Sequence, residues 1–307
     1  MKTNNNFDSF SKKRVSYILA TKNHAKFLEK ALLKYRKLIK PTDELIVIDG
    51  ASNDNTTRIV KKYADLVDIY ISEPDINPTH AFNKGLLLAR GKYVKNLNDD
   101  DTIYPNAMEK AIGILEKNQD VDLLICGGVK QRGKLFATIC LPPGTNYGQD
   151  IKDVFKYGAL GDGFIIRRTL FAKVGVLPVN EVSGSSFVVE CIHKGANVKF
   201  CRIKLYLHKI YNHSAIIGRK SEVHADNLKL IKQYFPISFY WRFRLTEIIQ
   251  QYKSLAIMAY YLSLPSQFIK AARDKGLIYT LVIIANHLRG KKYKSENKKY
   301  IWDGGFS

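Results

Sequence analysis

A regular alternation of short apolar segments with segments of helical periodicity constrains the fold more than any other feature of this chain. The apolar segments are four to six residues long, which is too short for helices and suits strands. An alternation of strands and helices predicts an α/β fold with a mostly parallel sheet covered by helices on both faces. The predicted strands are residues 15–20, 44–48, 68–71, 93–97 and 121–125.

Apolar residues recur at helical spacing between these strands. In the first such segment they extend to Ile39, and Pro41 is predicted to end the helix. After residue 131 the pattern is less regular, but a further strand at 164–166 and a helix around 187–194 are expected. The predicted helices contain Leu32, Val60, Phe82, Met108 and Val188.

Polar side chains follow three of the predicted strands at the points where the strands end. They lie at residues 21–23, 49–55 and 98–101. Ligands of an open α/β sheet bind outside the carboxyl ends of its strands. We therefore expect these three segments to meet at one edge of the sheet and to form a ligand site.

The third segment contains three adjacent carboxylates, Asp99, Asp100 and Asp101. Adjacent carboxylates repel one another, and a cation at this point would relieve the repulsion. Oxygen ligands of this kind suit Mg²⁺ or Mn²⁺, especially an ion shared with a substrate diphosphate. The alternative is a solvated turn before the helix that begins near Pro105, because Asp is common in turns.

The chain of 307 residues has a net charge of +21 and a pI near 9.7. Such an excess predicts an anionic partner: nucleic acid, a membrane surface or an anionic substrate. The polar edge described above is acidic, so no nucleic-acid partner is expected. The four cysteines form no CxxC pair and are interpreted as free thiols in a reducing cytoplasm.

Composition changes along the chain and predicts three regions. Residues 1–14 are a polar tail without the apolar core of a signal peptide, and residues 15–225 form the α/β domain. Residues 226–307 alternate apolar stretches with Lys and Arg. They are interpreted either as helices packed on the core or as a peripheral contact with the anionic inner face of the cell membrane. The sequence contains no run of eighteen apolar residues, so no membrane-spanning helix is predicted.

Five segments in register, residues 18–23, 47–56, 73–75, 81–85 and 97–101, resemble the family 2 glycosyltransferases. The resemblance implies the GT-A fold, here with a C-terminal helical extension. It also implies transfer of a sugar from a nucleotide-diphosphate sugar, with UDP as the default nucleotide, to a hydroxyl of a surface polysaccharide or glycolipid. The expected mechanism is inverting and dependent on Mn²⁺ or Mg²⁺, and the expected acceptor is a glycan or a lipid-linked molecule.

The same resemblance assigns roles to individual residues. Thr21 and Asp49 would contact the nucleoside, and Asp100 would approach the ribose or the metal. Asp101 would be the principal metal ligand. The predicted donor-binding residues are Thr21, Asn23, Asp49, Ala51, Asn83, Lys84, Asp99 and Asp100, and the predicted metal ligands are Asp101 and Asp99. For Asn83 and Lys84 the alternative is a surface helix in which Gly85 allows close packing.

The match is weakest at the catalytic base. Inverting enzymes of this family use a carboxylate to deprotonate the acceptor hydroxyl. Residues 182–186, where the resemblance places it, contain no acid. The candidates are Asp162, Glu181 and Glu190, and each of them also has a purely structural interpretation. The missing acid leaves open a noncatalytic relative of the same fold, and the net charge of +21 leaves open, as a second alternative, a basic nucleic-acid-binding protein.

Overall fold

The structure is a computed structural model that describes residues 13–142, 150–179, 184–210, 220–238 and 240–241. The predicted base Glu181 and the predicted extension after residue 241 lie outside these residues. The described helices are α1 (Ala25–Tyr35), α2 (Thr56–Lys62), α3 (Pro78–Leu88), α4 (Pro105–Lys117), α5 (Ile151–Tyr157), α6 (Leu170–Val174), α7 (Gly184–His193) and α8 (Lys220–Tyr234), with a 3-10 turn at Gly161–Gly163.

The described strands are β1 (Val15–Thr21), β2 (Glu44–Asp49), β3 (Ile69–Ser72), β4 (Tyr93–Asn98), β5 (Thr102–Ile103), β6 (Leu123–Arg132), β7 (Leu135–Ile139), β8 (Phe164–Arg167) and β9 (Val198–Lys209). These nine strands form one sheet in the order β3-β2-β1-β4-β8-β6-β9-β5, and β7 pairs with β6 beside this path. The pairs β3–β2, β2–β1, β1–β4 and β6–β9 are parallel, whereas β7, β8 and β5 pair antiparallel.

Helices cover both faces of the parallel half of the sheet, so alternate side chains of one strand enter different cores. Tyr17 and Leu19 of β1 belong to the same buried cluster as side chains of α1 and α4. Ile18, between them, packs with Ala81 and other side chains of α3. The predicted α/β fold, a mostly parallel sheet flanked by helices, is confirmed.

Helix α3 lies unusually close to the sheet because of one glycine. A Cβ atom at Gly85 would lie 2.5 Å from Cγ2 of Ile18 and 3.3 Å from Cγ1 of Ile48. Any side chain at this position would push the helix away from β1 and β2. The close packing considered for Gly85 in the sequence is therefore present.

Most predicted elements differ from the structure by one to three residues at an end, and two of them end four or more residues from the predicted end. Helix α1 ends at Tyr35, well before Pro41, because Lys37 and Leu38 donate tighter i→i−3 hydrogen bonds that bury the Leu38 side chain. Strand β6 continues to Arg132, beyond the predicted end at residue 125, because its polar second half pairs with β7 and β9. The periodicity of a segment does not predict where a strand ends when its end depends on pairing with distant strands.

The chain divides between Asn227 and Leu228 into two compact units, and the sheet belongs to the first. Across the described part of the chain, none of the helices combines the length and the apolar character needed to cross a bilayer.

Candidate active site

The three predicted polar segments meet at the carboxyl edge of the parallel strands. Ala20 at the end of β1 pairs with Asn98 at the end of β4, and Thr21 pairs with Asp49 at the end of β2. The loops after these strands therefore face one another. This arrangement follows from the parallel register alone.

The three adjacent carboxylates have three different environments. Asp99 accepts hydrogen bonds from the Thr21 hydroxyl at 2.7 Å and lies 2.9 Å from Nδ1 of His24. Asp101 is buried and accepts from the Asn98 amide and from the backbone N–H of Lys209. Asp100 is partly buried and has no side-chain hydrogen bond to any other residue in the described part of the chain.

Asp101 forms a group with two residues from distant parts of the chain, Asp162 and His208. One ligand atom from each lies within 4.8 Å of the others. Nδ1 of His208 is 3.0 Å from Oδ2 of Asp101 and 3.0 Å from Oδ2 of Asp162. We refer to Asp101, Asp162 and His208 as the Asp–Asp–His group.

Three elements position the Asp–Asp–His group. We refer to Asp99, Asp100 and Asp101 as the acid run. Strand β5 directly follows the acid run and pairs with β9, which places His208 beside Asp101. Asn98 donates from one amide nitrogen to Asp101 at 2.9 Å and to Asp162 at 2.6 Å. Asp162 lies in the 3-10 turn, which can pack against β6 only because Gly163 has no side chain: a Cβ there would lie 2.1 Å from the carbonyl oxygen of Cys126.

Burial and charge act against each other in this group. Burial alone would lower the pKa of His208, but the hydrogen bonds and charges of Asp101 and Asp162 outweigh it and raise that pKa to about 10. Burial likewise disfavours ionised Asp162, yet His208 and Asn98 bring the pKa of that carboxyl below its usual value. Asp100 lacks such partners, and burial together with the charges of Asp101 and Asp99 raises its pKa to about 6.

The donor set of the Asp–Asp–His group fits a divalent cation. Two carboxylates and one imidazole suit Mn²⁺ better than Mg²⁺, which prefers oxygen ligands alone. The three ligand atoms already converge, and Nε2 of His208 is buried without a hydrogen-bond partner among the described residues. The residues present therefore match the ion that the sequence led us to expect.

A buried lysine lies near this group and was not predicted from the sequence. Lys95 of β4 is fully buried and donates to the backbone oxygen of Asn96 at 2.7 Å. Burial lowers the pKa of Lys95 to about 8, and the negative charge of Asp162 opposes that change more than any other charge does. In the sequence Lys95 appears as one polar residue in an apolar strand, which gives no sign of its burial.

Asp49 and Asn23 organise the loops at the opposite end of the edge. Buried Asp49 accepts from the hydroxyls of Ser52, Tyr70 and Ser72. Asn23 accepts from the backbone N–H of Asn53 at 2.9 Å, and its own N–H donates to Ser52. The two loops are thus joined through Ser52.

Two positive φ angles shape these loops. Asn23 has φ 53° and Ala51 has φ 58°, in the left-handed region that Asn tolerates better than Ala. The N–H of Ala51 donates to the carbonyl of Asp49 at 2.8 Å, which makes the turn tight. The structure therefore brings Thr21, Asn23, Asp49 and Ala51 to one edge with the acid run.

The other predicted site residues have partners of their own. The Asn83 side chain is buried and exchanges two hydrogen bonds with the backbone of Leu177. Lys84 donates to the carbonyl oxygen of Pro74 at 2.7 Å and pairs with Glu73 at 2.8 Å. Glu190 pairs with Lys194 one turn along α7. Of the two candidate bases that the structure describes, Asp162 is the one hydrogen-bonded to Asn98 and His208 beside Asp101, and Glu181 lies outside the described residues.

His208 was not predicted as a metal ligand from the sequence, where it is one of several basic residues after residue 201 that could help to hold a diphosphate. It follows the apolar run Leu205-Tyr206-Leu207, so it occupies the same strand-end position as the polar segments that were selected. Because the sequence pattern after residue 131 is irregular, β9 was not predicted, and His208 was therefore not recognised as a residue at the end of a strand.

The α/β sheet flanked by helices, with acidic side chains and an imidazole at the carboxyl edge of its parallel strands, has the GT-A fold of glycosyltransferases. The profile of the family described as glycosyl transferase family 2 matches residues 16–175, just over half of the chain. The chain belongs to this family.

Curated relatives agree with this assignment. An uncharacterized glycosyltransferase of Rickettsia prowazekii is 29% identical over 168 residues, covering 53% of this chain and 52% of the relative. The poly(ribitol-phosphate) beta-N-acetylglucosaminyltransferase TarP of Staphylococcus aureus is 30% identical over 171 residues, covering 54% of this chain and 48% of TarP. The chain thus spans about half the length of the curated relatives it matches.

Solved structures share the fold over a longer stretch. TarS 1–349 of S. aureus in complex with UDP-GlcNAc superposes with a TM-score of 0.57 at 16% identity, over 92% of this chain and 93% of that one. The mannosyltransferase PcManGT of Pyrobaculum calidifontis, in complex with GDP-Man and Mn²⁺, gives a TM-score of 0.58 at 17% identity, over 90% of this chain and 80% of that one. At such low identity these similarities show the GT-A fold.

Proposed function

We propose that this glycosyltransferase moves a sugar from a UDP-sugar to a hydroxyl of a surface polysaccharide or glycolipid, with inversion at the anomeric carbon. The observation that most supports this proposal is the Asp–Asp–His group at the carboxyl edge of the sheet. Family membership supports sugar transfer in general. The UDP-GlcNAc complex of TarS, which shares the fold, supports the choice of nucleotide.

In the proposed enzyme, Asp101, Asp162 and His208 hold Mn²⁺ or Mg²⁺, and Asp100 completes the site or contacts the ribose. A bound divalent ion neutralises the diphosphate that leaves when the sugar–phosphate bond breaks. The donor set favours Mn²⁺. Asp99, predicted as a second metal ligand, has both oxygens engaged by Thr21 and His24, so we propose that it orients these two residues instead.

Thr21, Asn23, Asp49 and Ala51 form the nucleoside end of the proposed site. Asp49 accepts hydrogen bonds from Ser52 in the loop after β2 and from Tyr70 and Ser72 of β3, so we propose that its main effect is to fix the loop that presents Ala51. Asn83 and Lys84 remain proposed diphosphate neighbours, although their described contacts are with Leu177, Pro74 and Glu73.

Inversion requires a carboxylate that accepts the proton of the acceptor hydroxyl. Asp162 competes for two roles, because a carboxylate that ligates the metal has fewer lone pairs available for a proton. Asp162→Asn separates the roles. Loss of a ligand weakens Mn²⁺ binding, whereas loss of a base leaves Mn²⁺ binding intact and lowers turnover. In the second case Glu181 and Glu190 are no longer needed as bases.

A thermal-shift panel of UDP, GDP, CDP and dTDP, with and without Mn²⁺, tests the proposal. UDP is expected to raise the Tm by a few degrees only when Mn²⁺ is present, because a ligand at ~100 times its Kd stabilises by about 2.7 kcal/mol. Each variant is compared with its own ligand-free Tm. Asp101→Ala should lose the rise, whereas Asp65→Ala, which removes an exposed carboxylate paired with Arg36, should keep it.

An equal rise without metal, or an undiminished rise in Asp101→Ala, would contradict the proposed metal site. No rise with any nucleotide would contradict donor binding itself and favour a noncatalytic relative of the same fold.

We also propose that the protein is cytoplasmic and contacts the anionic inner face of the membrane. The net charge of +21 and the basic, apolar composition of residues 226–307 support this location. The proposed boundaries of the three regions, residues 1–14, 15–225 and 226–307, rest on the same change in composition.

A further inference from the structure

The β6–β7 hairpin leaves the sheet beside the Asp–Asp–His group. Strand β6 pairs with β9 as far as Gln131↔Lys209, and with β7 as far as Arg132↔Leu135. In this register Lys130 lies directly opposite His208. The hairpin is therefore a continuation of the sheet that forms the site.

Residues paired across neighbouring strands project from the same face of a sheet, and the face alternates along each strand. Lys130 consequently shares a face with His208, and so does Arg132, two residues further along and roughly 7 Å away. Packing at Gly128 agrees with this assignment, because a Cβ there would lie 2.4 Å from the ring of Tyr206, two residues before His208.

This part of the hairpin is strongly basic. Residues 128–139 contain Lys130, Arg132 and Lys134 and no Asp or Glu. Arg132 and Lys134 are exposed, and Arg132 has no hydrogen bond or ion pair with another residue that the structure describes. We refer to Lys130, Arg132 and Lys134 as the basic strip. It begins beside the Asp–Asp–His group and extends outward along the hairpin.

We infer that the basic strip binds the acceptor and that the acceptor is an anionic polymer with phosphate groups along its chain. The inference rests on the proposed function. A neutral glycan would gain nothing from the exposed cations Arg132 and Lys134, whereas successive phosphates pair with Lys and Arg through charge-assisted hydrogen bonds. TarP, 30% identical to this chain, is named for a poly(ribitol-phosphate) acceptor of this chemistry.

An anionic membrane is the other partner with suitable charge, because Leu135 and Phe136 at the hairpin tip are 76% and 63% exposed. The inner end of the strip argues against it. Lys130 lies opposite His208, whose side chain is only 17% exposed, and a flat bilayer surface would not reach that position. A polymer chain can enter the site and also follow the hairpin.

The test measures binding of a fluorescent ribitol-phosphate oligomer to the full chain, at low and high salt, for the wild type and for Arg132→Glu/Lys134→Glu. The double variant should bind about tenfold or more weakly, since two charge-assisted contacts become repulsive. Arg58→Glu, at an exposed position of α2 near the other end of the sheet, should bind normally. All three proteins should bind UDP with Mn²⁺ equally.

Equal binding of the oligomer by the double variant and Arg58→Glu would overturn the inference. So would a double variant that keeps the oligomer and loses phosphatidylglycerol vesicles, because the strip would then be a membrane contact. If the double variant melts well below the wild type, Arg132→Gln in the same assay decides. If the double variant loses oligomer binding but still binds UDP, the result supports acceptor binding by the basic strip. If the wild type binds the oligomer but no nucleotide, the result contradicts only the proposed function.

Discussion

Three consecutive aspartates behave as three different chemical groups because their surroundings differ. Asp99 is held by Thr21 and His24, and Asp101 by Asn98, His208 and Lys209. Burial and the negative charges of Asp101 and Asp99 raise the pKa of Asp100 to about 6, and the charge of His208 opposes this change only in part. At neutral pH, metal-free protein therefore holds an ionised Asp100 at a cost in stability.

Asp100→Asn should make the metal-free protein more stable than the wild type above pH 6. The folded-state pKa of Asp100 is raised from 3.8, so the group contributes stability below pH 3.8 and loses it as the pH rises through about 6. The difference in Tm, measured in EDTA, should grow over this range. Added Mn²⁺ should stabilise the wild type more than the variant.

Asp65→Asn is the matched control. The ion pair with Arg36 lowers the pKa of exposed Asp65, so its loss should never raise the Tm at neutral pH. If the Asp100→Asn protein is no more stable than the wild type above pH 6, the ionised Asp100 carboxylate does not destabilise the folded protein and the prediction is wrong.

At the scale of elements, the 3-10 turn at Gly161–Gly163 decides whether Asp162 reaches the site. The turn lies against β6 with no room for a Cβ at Gly163, and Asn98 ties Asp162 to the end of β4. The site thus depends on a close contact between a turn and a strand as well as on its own ligands.

Gly163→Ala should displace the turn, lower the free energy of unfolding by about 1–3 kcal/mol and weaken Mn²⁺ binding. The added methyl group would meet backbone at 2.1 Å, which cannot rotate away as a side chain would. Denaturant unfolding and Mn²⁺ titration measure the two effects.

Gly113→Ala, within α4, is the control for the same chemical change. Nothing lies within 4 Å of a Cβ there, so the substitution should stabilise the helix by up to ~1 kcal/mol and leave Mn²⁺ binding unchanged. Equal Mn²⁺ affinity in Gly163→Ala and the wild type would show that Mn²⁺ binding does not depend on the close packing of the 3-10 turn.

For the whole molecule, the net charge of +21 must be reconciled with a site whose edge is acidic. The proposals above assign the two charges to different partners. The carboxylates at the edge of the sheet bind the divalent ion, and the basic strip outside this edge binds the anionic acceptor. The basic C-terminal residues are the proposed membrane contact.

Liposome flotation with vesicles of phosphatidylglycerol and of phosphatidylcholine measures that contact. We expect the full chain to float with the anionic vesicles, and a chain truncated at Pro236 to lose most of this binding because many of its cations are gone. Flotation independent of lipid charge, or undiminished by truncation, would contradict the proposal.

Most strands and helices of the first 125 residues were predictable because their periodicity is local, but the two-residue strand β5 was not predicted. Alternate residues of β1 enter two cores, and the resulting apolar run is visible without any partner. The end of β6 and the early end of α1 were not predictable, because pairing with β7 and burial of Leu38 fix them.

Sequence alone determined that Thr21, Asp49 and the acid run share one edge, since parallel strands bring their carboxyl ends together whatever packs around them. Only the tertiary structure decided that Asp101 meets Asp162 and His208, the latter 107 residues away. The reason is physical. A parallel sheet is predicted by the local alternation of strands and helices, whereas the convergence of three ligands depends on pairing between β5 and β9 and on the space left by one glycine.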